Sequence, residues 1–193
     1  MKNTITILVL FFLAACVQKP SVDSRVWFNS KDISIKVKDG ISYVSGEKFT
    51  GIIYSLYDNG DTVFVYPYNN GKLDGVVKVW YDNGQLQEQR GYVAGRREGM
   101  QKGWYMDGTV KYIAGYKENM YHGQVQEWFP NGQLYRVFNY VNGQEEGMQK
   151  MYWDNGELRA NYESKNGRKY GLTGIKNCAT PWSDSLKRLF AGM

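Results

Sequence analysis

Between Gly51 and Tyr170 the apolar and polar positions recur every 24 residues. In Gly75 to Glu98, GVVKVWYDNGQLQEQRGYVAGRRE, Val76, Lys78 and Trp80 fall on one parity, and Val77, Val79 and Tyr81 on the other. After Asp82-Asn83-Gly84, Leu86 and Tyr92 share one parity while Gln87 and Gln89 share the other. A period of two marks a strand whose faces meet different surroundings. The same run is written five times without an insertion, so supersecondary units stack in an array.

Three turn series punctuate the copies. Asx-Gly pairs end at Gly60, Gly84, Gly108, Gly132 and Gly156. A second series is Gly51, Gly75, Gly99, Gly123, Gly147 and Gly171, and a third is Gly71, Gly95, Gly143 and Gly167, with Asn119 in the missing place. Each copy therefore predicts a strand, an Asx-Gly turn with Asn and Gly at positive φ, a returning strand, and a wider turn such as Gly95 to Gly99. Glycines every dozen residues disfavour helix. The predicted fold is all-β, an elongated antiparallel β-hairpin repeat array in meander order. Aromatics keep the beat at Tyr57, Tyr81, Tyr105, Phe129 and Trp153, preceded by Leu56, Trp80, Trp104, Trp128 and Tyr152. Stacking should place equivalent aromatics side by side and bury them as a continuous ridge.

The flanks depart from the period. In residues 25–50, Ile33, Ile35 and Val37 alternate with polar residues before Asp39-Gly40, and Ile41, Tyr43 and Val44 follow, which reads as a degenerate capping hairpin. Residues 171–193 read as a C-terminal cap. Thr180-Pro181 supplies an N-cap and a first helical position, and Trp182, Leu186, Leu189 and Phe190 fall near one helical face. A short capping helix is expected there, the alternative being a helix that lies on a membrane or a partner. Residues 1–15 hold Lys2 and the apolar run Ile5 to Leu13, too short to span a bilayer and suited to a signal peptide. Residues 16–24, with Pro20, Ser21 and Ser24, read as a tether.

Composition narrows the function classes. The net charge is +5, yet Lys and Arg are interleaved with Asp and Glu, and no block of like charge marks a nucleic-acid surface. His122 is the only histidine, in a predicted turn between copies, so no histidine metal cluster is available. No nucleophile elbow, phosphate loop or calcium loop is written, which leaves no catalytic residue, metal or cofactor to expect. Cys178 has no partner in the chain if Cys16 is modified. A buried small residue and a free or cross-linking thiol are both open to it.

Two resemblances add to this reading. Leu13-Ala14-Ala15-Cys16 resembles the lipobox of bacterial lipoproteins, which implies an acylated Cys16 at the mature N-terminus. Acyl chains contribute about 0.8 kcal/mol per buried methylene, enough for a membrane anchor when several are attached. Val17 in place of Asp after the cysteine implies export to the outer membrane. The unit G-x-x-x-x-W-[YF]-x-N-G-x-L, in Gly75 to Leu86 and Gly123 to Leu134, resembles the MORN repeat in its bacterial variant, as in the YwqK-type antitoxin family. That resemblance implies a hairpin array used for contacts, without chemistry of its own. The expected function is thus a lipid-anchored, non-enzymatic envelope scaffold that binds a protein partner. The alternative is an antitoxin or immunity component. Trp80, Tyr92, Trp104, Tyr116, Trp128 and Tyr140 are the expected contact surface, since Trp and Tyr give large area at low entropy cost. Their competing role is the core of a thin sheet.

Overall fold

The computed structural model describes residues 25–174. The leader, Cys16, the tether, the expected capping helix and Cys178 lie outside the described residues. What is described is all-β. Each copy supplies two long strands: Gly51–Leu56 with Thr62–Asn69, Gly75–Trp80 with Leu86–Val93, Gly99–Trp104 with Val110–Lys117, Met120–Trp128 with Leu134–Val141, and Gly147–Tyr152 with Leu158–Lys165. They pair in chain order as an antiparallel meander, and Arg168–Leu172 adds a final strand. The period-two pattern and the repeated turns dictate that order, because each turn can only return the chain beside the strand it has just left.

Two additions precede the first copy. Trp27–Asn29 joins the outer edge of Gly51–Leu56 in parallel, which the sequence pattern did not announce. Ile35–Lys38 and Ile41–Val44 pair around Asp39-Gly40 and form, with Glu47–Lys48, a small separate sheet. At the other end the strand continues through Leu172, past the expected limit of the last copy.

Turn chemistry differs from the expectation in both places. At Asp82-Asn83-Gly84 only Gly84 has positive φ, 79°. Asn83 acts through its side chain: Oδ1 accepts the Gln85 amide at 3.0 Å while the Gly84 amide donates to the Tyr81 carbonyl at 3.0 Å. The loop is a three-residue turn closed by a glycine bulge, and an Asx side chain caps it in every copy, from Asn59, Asp107, Asn131 and Asn155 as well. The positive-φ pair sits at the other turn, Ala94 (48°) and Gly95 (84°). There Val93 faces Arg96 and Tyr92 faces Arg97, so the connection is a tight two-residue hairpin and not a wide one.

The width expected between Gly95 and Gly99 is a bulge. The Glu98 amide donates to the Gly91 carbonyl, and strand pairing resumes only at Lys102 opposite Gln89. Gly99, Met100 and Gln101 thus stand against Arg90 alone, which bends the strand. The interruption leaves backbone carbonyls short of donors, and the Gln101 side chain supplies one: its Nε2 donates to Gly91 O at 3.2 Å and Glu98 O at 3.1 Å. Gln149 does the same two copies later, donating to the Asn139 carbonyl at 3.0 Å and accepting the Asn139 amide at 2.8 Å.

These glutamines lie in the core. Ile53, Val77, Gln101, Val125 and Gln149, one per copy at one phase, are 0–2% exposed. Among the described residues no second layer covers the long sheet, so side chains of neighbouring strands must close over this row. Ala114, Phe138, Ala160 and Tyr162, all buried, belong to the returning strands that do so. The expected aromatic ridge is therefore corrected. The most buried row is aliphatic and amide: Ile53 and Val125 are paired on both sides, while Gln101 and Gln149 sit where the ladder is interrupted and bond its free backbone groups.

The recurring tyrosines serve instead to join copies. Tyr57, Tyr81 and Tyr105 donate their hydroxyls to the carbonyls of Trp80, Trp104 and Trp128 at 2.9, 3.0 and 2.8 Å. Each bond reaches from the hairpin end of one copy to that of the next. Phe129 and Trp153 carry no hydroxyl for this.

Candidate functional site

Strand alternation, offset by the one-residue bulge in each hairpin, divides the six expected contact residues between the two faces of the sheet. Trp80, Trp104 and Trp128 lie with Val76, Met100 and Met148 and with Lys78, Lys102 and Lys150. Trp80, Val76 and Lys78 line one open groove with Trp27, Ile52 and Pro67. Val76 is 46% exposed, Met100 52% and Met148 47%, while the tryptophans are half-buried. Tyr92, Tyr116 and Tyr140 lie on the opposite face, above the buried row, because they face Gly75, Gly99 and Gly123. The structure thus brings together each set of three and separates the sets.

The tyrosine face is polar and densely paired. The Tyr116 and Tyr121 rings meet at a tilt with centroids 4.6 Å apart, and Tyr121 and Tyr140 likewise at 5.0 Å. Arg97 donates to the Tyr116 hydroxyl at 3.2 Å and lies over that ring. Glu88 pairs with Arg90 at 3.2 Å, and Glu127 with Arg136 at 2.5 Å. Between these pairs lies a cavity of about 310 Å³, lined by Glu88, Arg90, Arg97, Gln101, Tyr112, Ala114, Tyr116, Tyr121, Val125 and Glu127. Burial pushes the Tyr112 phenol up to about 12, with the Glu88 carboxylate adding to the effect. Burial likewise raises Tyr116 to about 12, helped by its hydrogen bond with Tyr121. Both stay protonated near neutrality and act there as neutral donors and acceptors.

Sequence reasoning had passed over Glu88, Arg90, Arg97, Gln101, Tyr112 and Glu127. The available signal was departure from the repeat. Ala114 stands in the row of Tyr66, Arg90, Phe138 and Tyr162, and Gly103 in the row of Ser55, Val79, Glu127 and Met151. Ala114 lines the cavity, and Gly103 gives room to the Tyr112 ring that forms one wall. His122, expected in a turn, lies within the strand Met120–Trp128, its carbonyl pressed toward Gly115 at a ladder irregularity. Among the described residues no three His, Cys, Asp or Glu side chains are arranged to hold a metal ion.

A single-sheet hairpin array with open faces defines a class of repeat scaffold. Comparison with protein families agrees: residues 73–94 and 121–142 match the MORN repeat variant. The two segments begin two periods apart, so the match and the array share one phase. Repeats of this kind are interaction modules for proteins or membrane surfaces and are typically non-catalytic. A search of curated proteins returned no match.

Proposed function

We propose that this protein is a non-enzymatic binding scaffold, held at the bacterial envelope through an acylated Cys16, and that its tryptophan face contacts a protein partner. The observation that carries the contact is the series Val76, Met100 and Met148, each about half exposed and in phase with Lys78, Lys102 and Lys150, interrupted in the fourth copy by Gln124 and Gln126. Apolar groups repeated along an uncovered surface mark an interaction site. The flanking lysines select a partner whose surface is apolar and acidic. The anchor rests on Leu13-Ala14-Ala15-Cys16 alone.

The two parts are tested separately. Cys16→Ser should release the protein from the membrane fraction in high salt and abolish acylation; a variant still acylated and sedimenting would refute the anchor. Replacing Val76, Met100 and Met148 together by Glu should leave melting unchanged and abolish capture of the partner that the native protein retains. Undiminished capture by the folded triple variant would remove this face as the contact surface.

A further inference from the structure

The cavity on the tyrosine face lies across the sheet from the proposed contact stripe and goes beyond that reading. It exists because the third copy leaves out bulk that its neighbours supply. A Cβ on Gly103 would stand 2.3 Å from the Tyr112 ring, so the ring lies flat over that glycine. Ala114 leaves a floor where Phe138 or Arg90 would fill the space. The side walls are Tyr112, which offers an apolar ring face, and the tilted Tyr116–Tyr121 pair.

Polar atoms at this floor and wall lack partners. Gln101 is 1% exposed, and its Oε1, at the cavity, accepts no hydrogen bond. The contrast with Gln149 is instructive. The same residue at the same phase uses its Oε1 on the Asn139 amide. Arg90 Nε is also buried and not aligned for a hydrogen bond, although it lies 3.2 Å from Glu88 Oε2. A buried acceptor with no donor bears the desolvation cost of that atom, and the Arg90 Nε–H is poorly aligned on its carboxylate, so the two suit a ligand that donates and accepts.

Charge adds a further requirement. Glu88 is matched by Arg90 and Glu127 by Arg136. Among the described residues Arg97 has no carboxylate in ion-pair range, and it leans on the Tyr116 hydroxyl. One positive charge is therefore in excess at the rim. A volume of about 310 Å³ suits a ligand of one sugar ring, at the small end of the roughly 300–1,000 Å³ of ligand clefts.

We infer that this cavity binds a monosaccharide-sized polyol bearing one carboxylate, a uronic acid in chemical terms. The ring's C–H face would lie against Tyr112. Its hydroxyls would donate to Gln101 Oε1 and Glu88 and accept from Arg90, and its carboxylate would meet Arg97.

The test uses the full chain in detergent micelles, with D-glucuronate, D-glucose and acetate titrated by calorimetry and by ligand-observed NMR. Glucuronate should bind, glucose about tenfold or more weakly, and acetate not measurably. Arg97→Gln should reduce glucuronate to the affinity of glucose. Gln101→Val restores the residue of the Val77 and Val125 copies, so it should fold and weaken both sugars. Ala114→Phe, with the side chain of Phe138, should abolish binding. The inference is overturned if glucuronate binds no better than acetate or glucose, or if folded Gln101→Val binds it unchanged. The Val76, Met100 and Met148 triple variant should bind glucuronate normally, which separates this site from the contact stripe.

Discussion

Tyr105→Phe removes one hydroxyl and nothing else, and it tests how copies are held together. The hydroxyl donates to the Trp128 carbonyl at 2.8 Å across the junction between the third and fourth copies. A neutral hydrogen bond contributes about 0.5–1.5 kcal/mol net. The site is only partly buried, so water can replace some of the lost bond, and about 1 kcal/mol is the expected loss. For a chain of this size that corresponds to about 2–4 °C in melting temperature. The reverse experiment is written into the next junction. Phe129 holds the equivalent place and packs on Tyr135 at 4.9 Å. By the period, Phe129→Tyr should reach the Tyr152 carbonyl and gain a similar amount. Melting and urea titration of both variants measure the total effect, and amide exchange should change at the affected junction alone. A neutral Tyr105→Phe would refute the role assigned to these hydroxyls, and so would a Phe129→Tyr that destabilises.

Other expectations follow from the same geometry. Tyr112 and Tyr116 have pKa values raised from 10.0 to about 12 by burial, so the fold favours their protonated forms. Their contribution is complete below about pH 10 and is lost as pH rises toward 12; phenolate absorbance with a parallel melt should show it, and ionisation of every tyrosine near 10 in the folded protein would contradict it. Gly115→Ala places a Cβ 2.2 Å from the His122 carbonyl and should cost about 1–3 kcal/mol or more by overpacking, measured by urea titration; a neutral result would show that the bulge yields freely. Deleting Gly99 to His122 should preserve more structure by circular dichroism than deleting Gly99 to Val110. A whole copy keeps strand direction and half a copy reverses it; equal losses would count against the hairpin assignment.

The meander was legible because it is encoded in local signals repeated in phase. Period-two alternation set the strands, and turn residues set where they reverse. Which turn did what was less legible. Asn-Gly at Asn83-Gly84 and Ala-Gly at Ala94-Gly95 suggest the opposite assignment on propensity, but the loop length and the Asn83 side-chain bond decide it. The buried glutamines were hidden for another reason. Gln101 and Gln149 look like surface residues until the bulge leaves carbonyls for their amide side chains to bond. The split of Trp80 from Tyr92 between faces was not legible in their parity, which is the same; the bulge between Val79 and Trp80 shifts the register by one and sets Tyr92 opposite Gly75. Cavity formation at Gly103 and Ala114 depends on what neighbouring copies place beside them, which a repeat consensus averages away.

The tyrosine bonds between copies also fix how the protein would respond to tension. Each joins residues 23 apart, so every such bond ties a copy only to its successor. The strands also pair only with the elements beside them along the meander, apart from the parallel Trp27–Asn29 strand at one edge. A force drawn along the stacking direction therefore passes through the ladders in series, so the weakest opens first. The sheet would lengthen in steps of about one copy, each at modest force, and re-form from whichever copies remained. Such a molecule behaves under load as an extensible link, with a reach set by how many copies have opened.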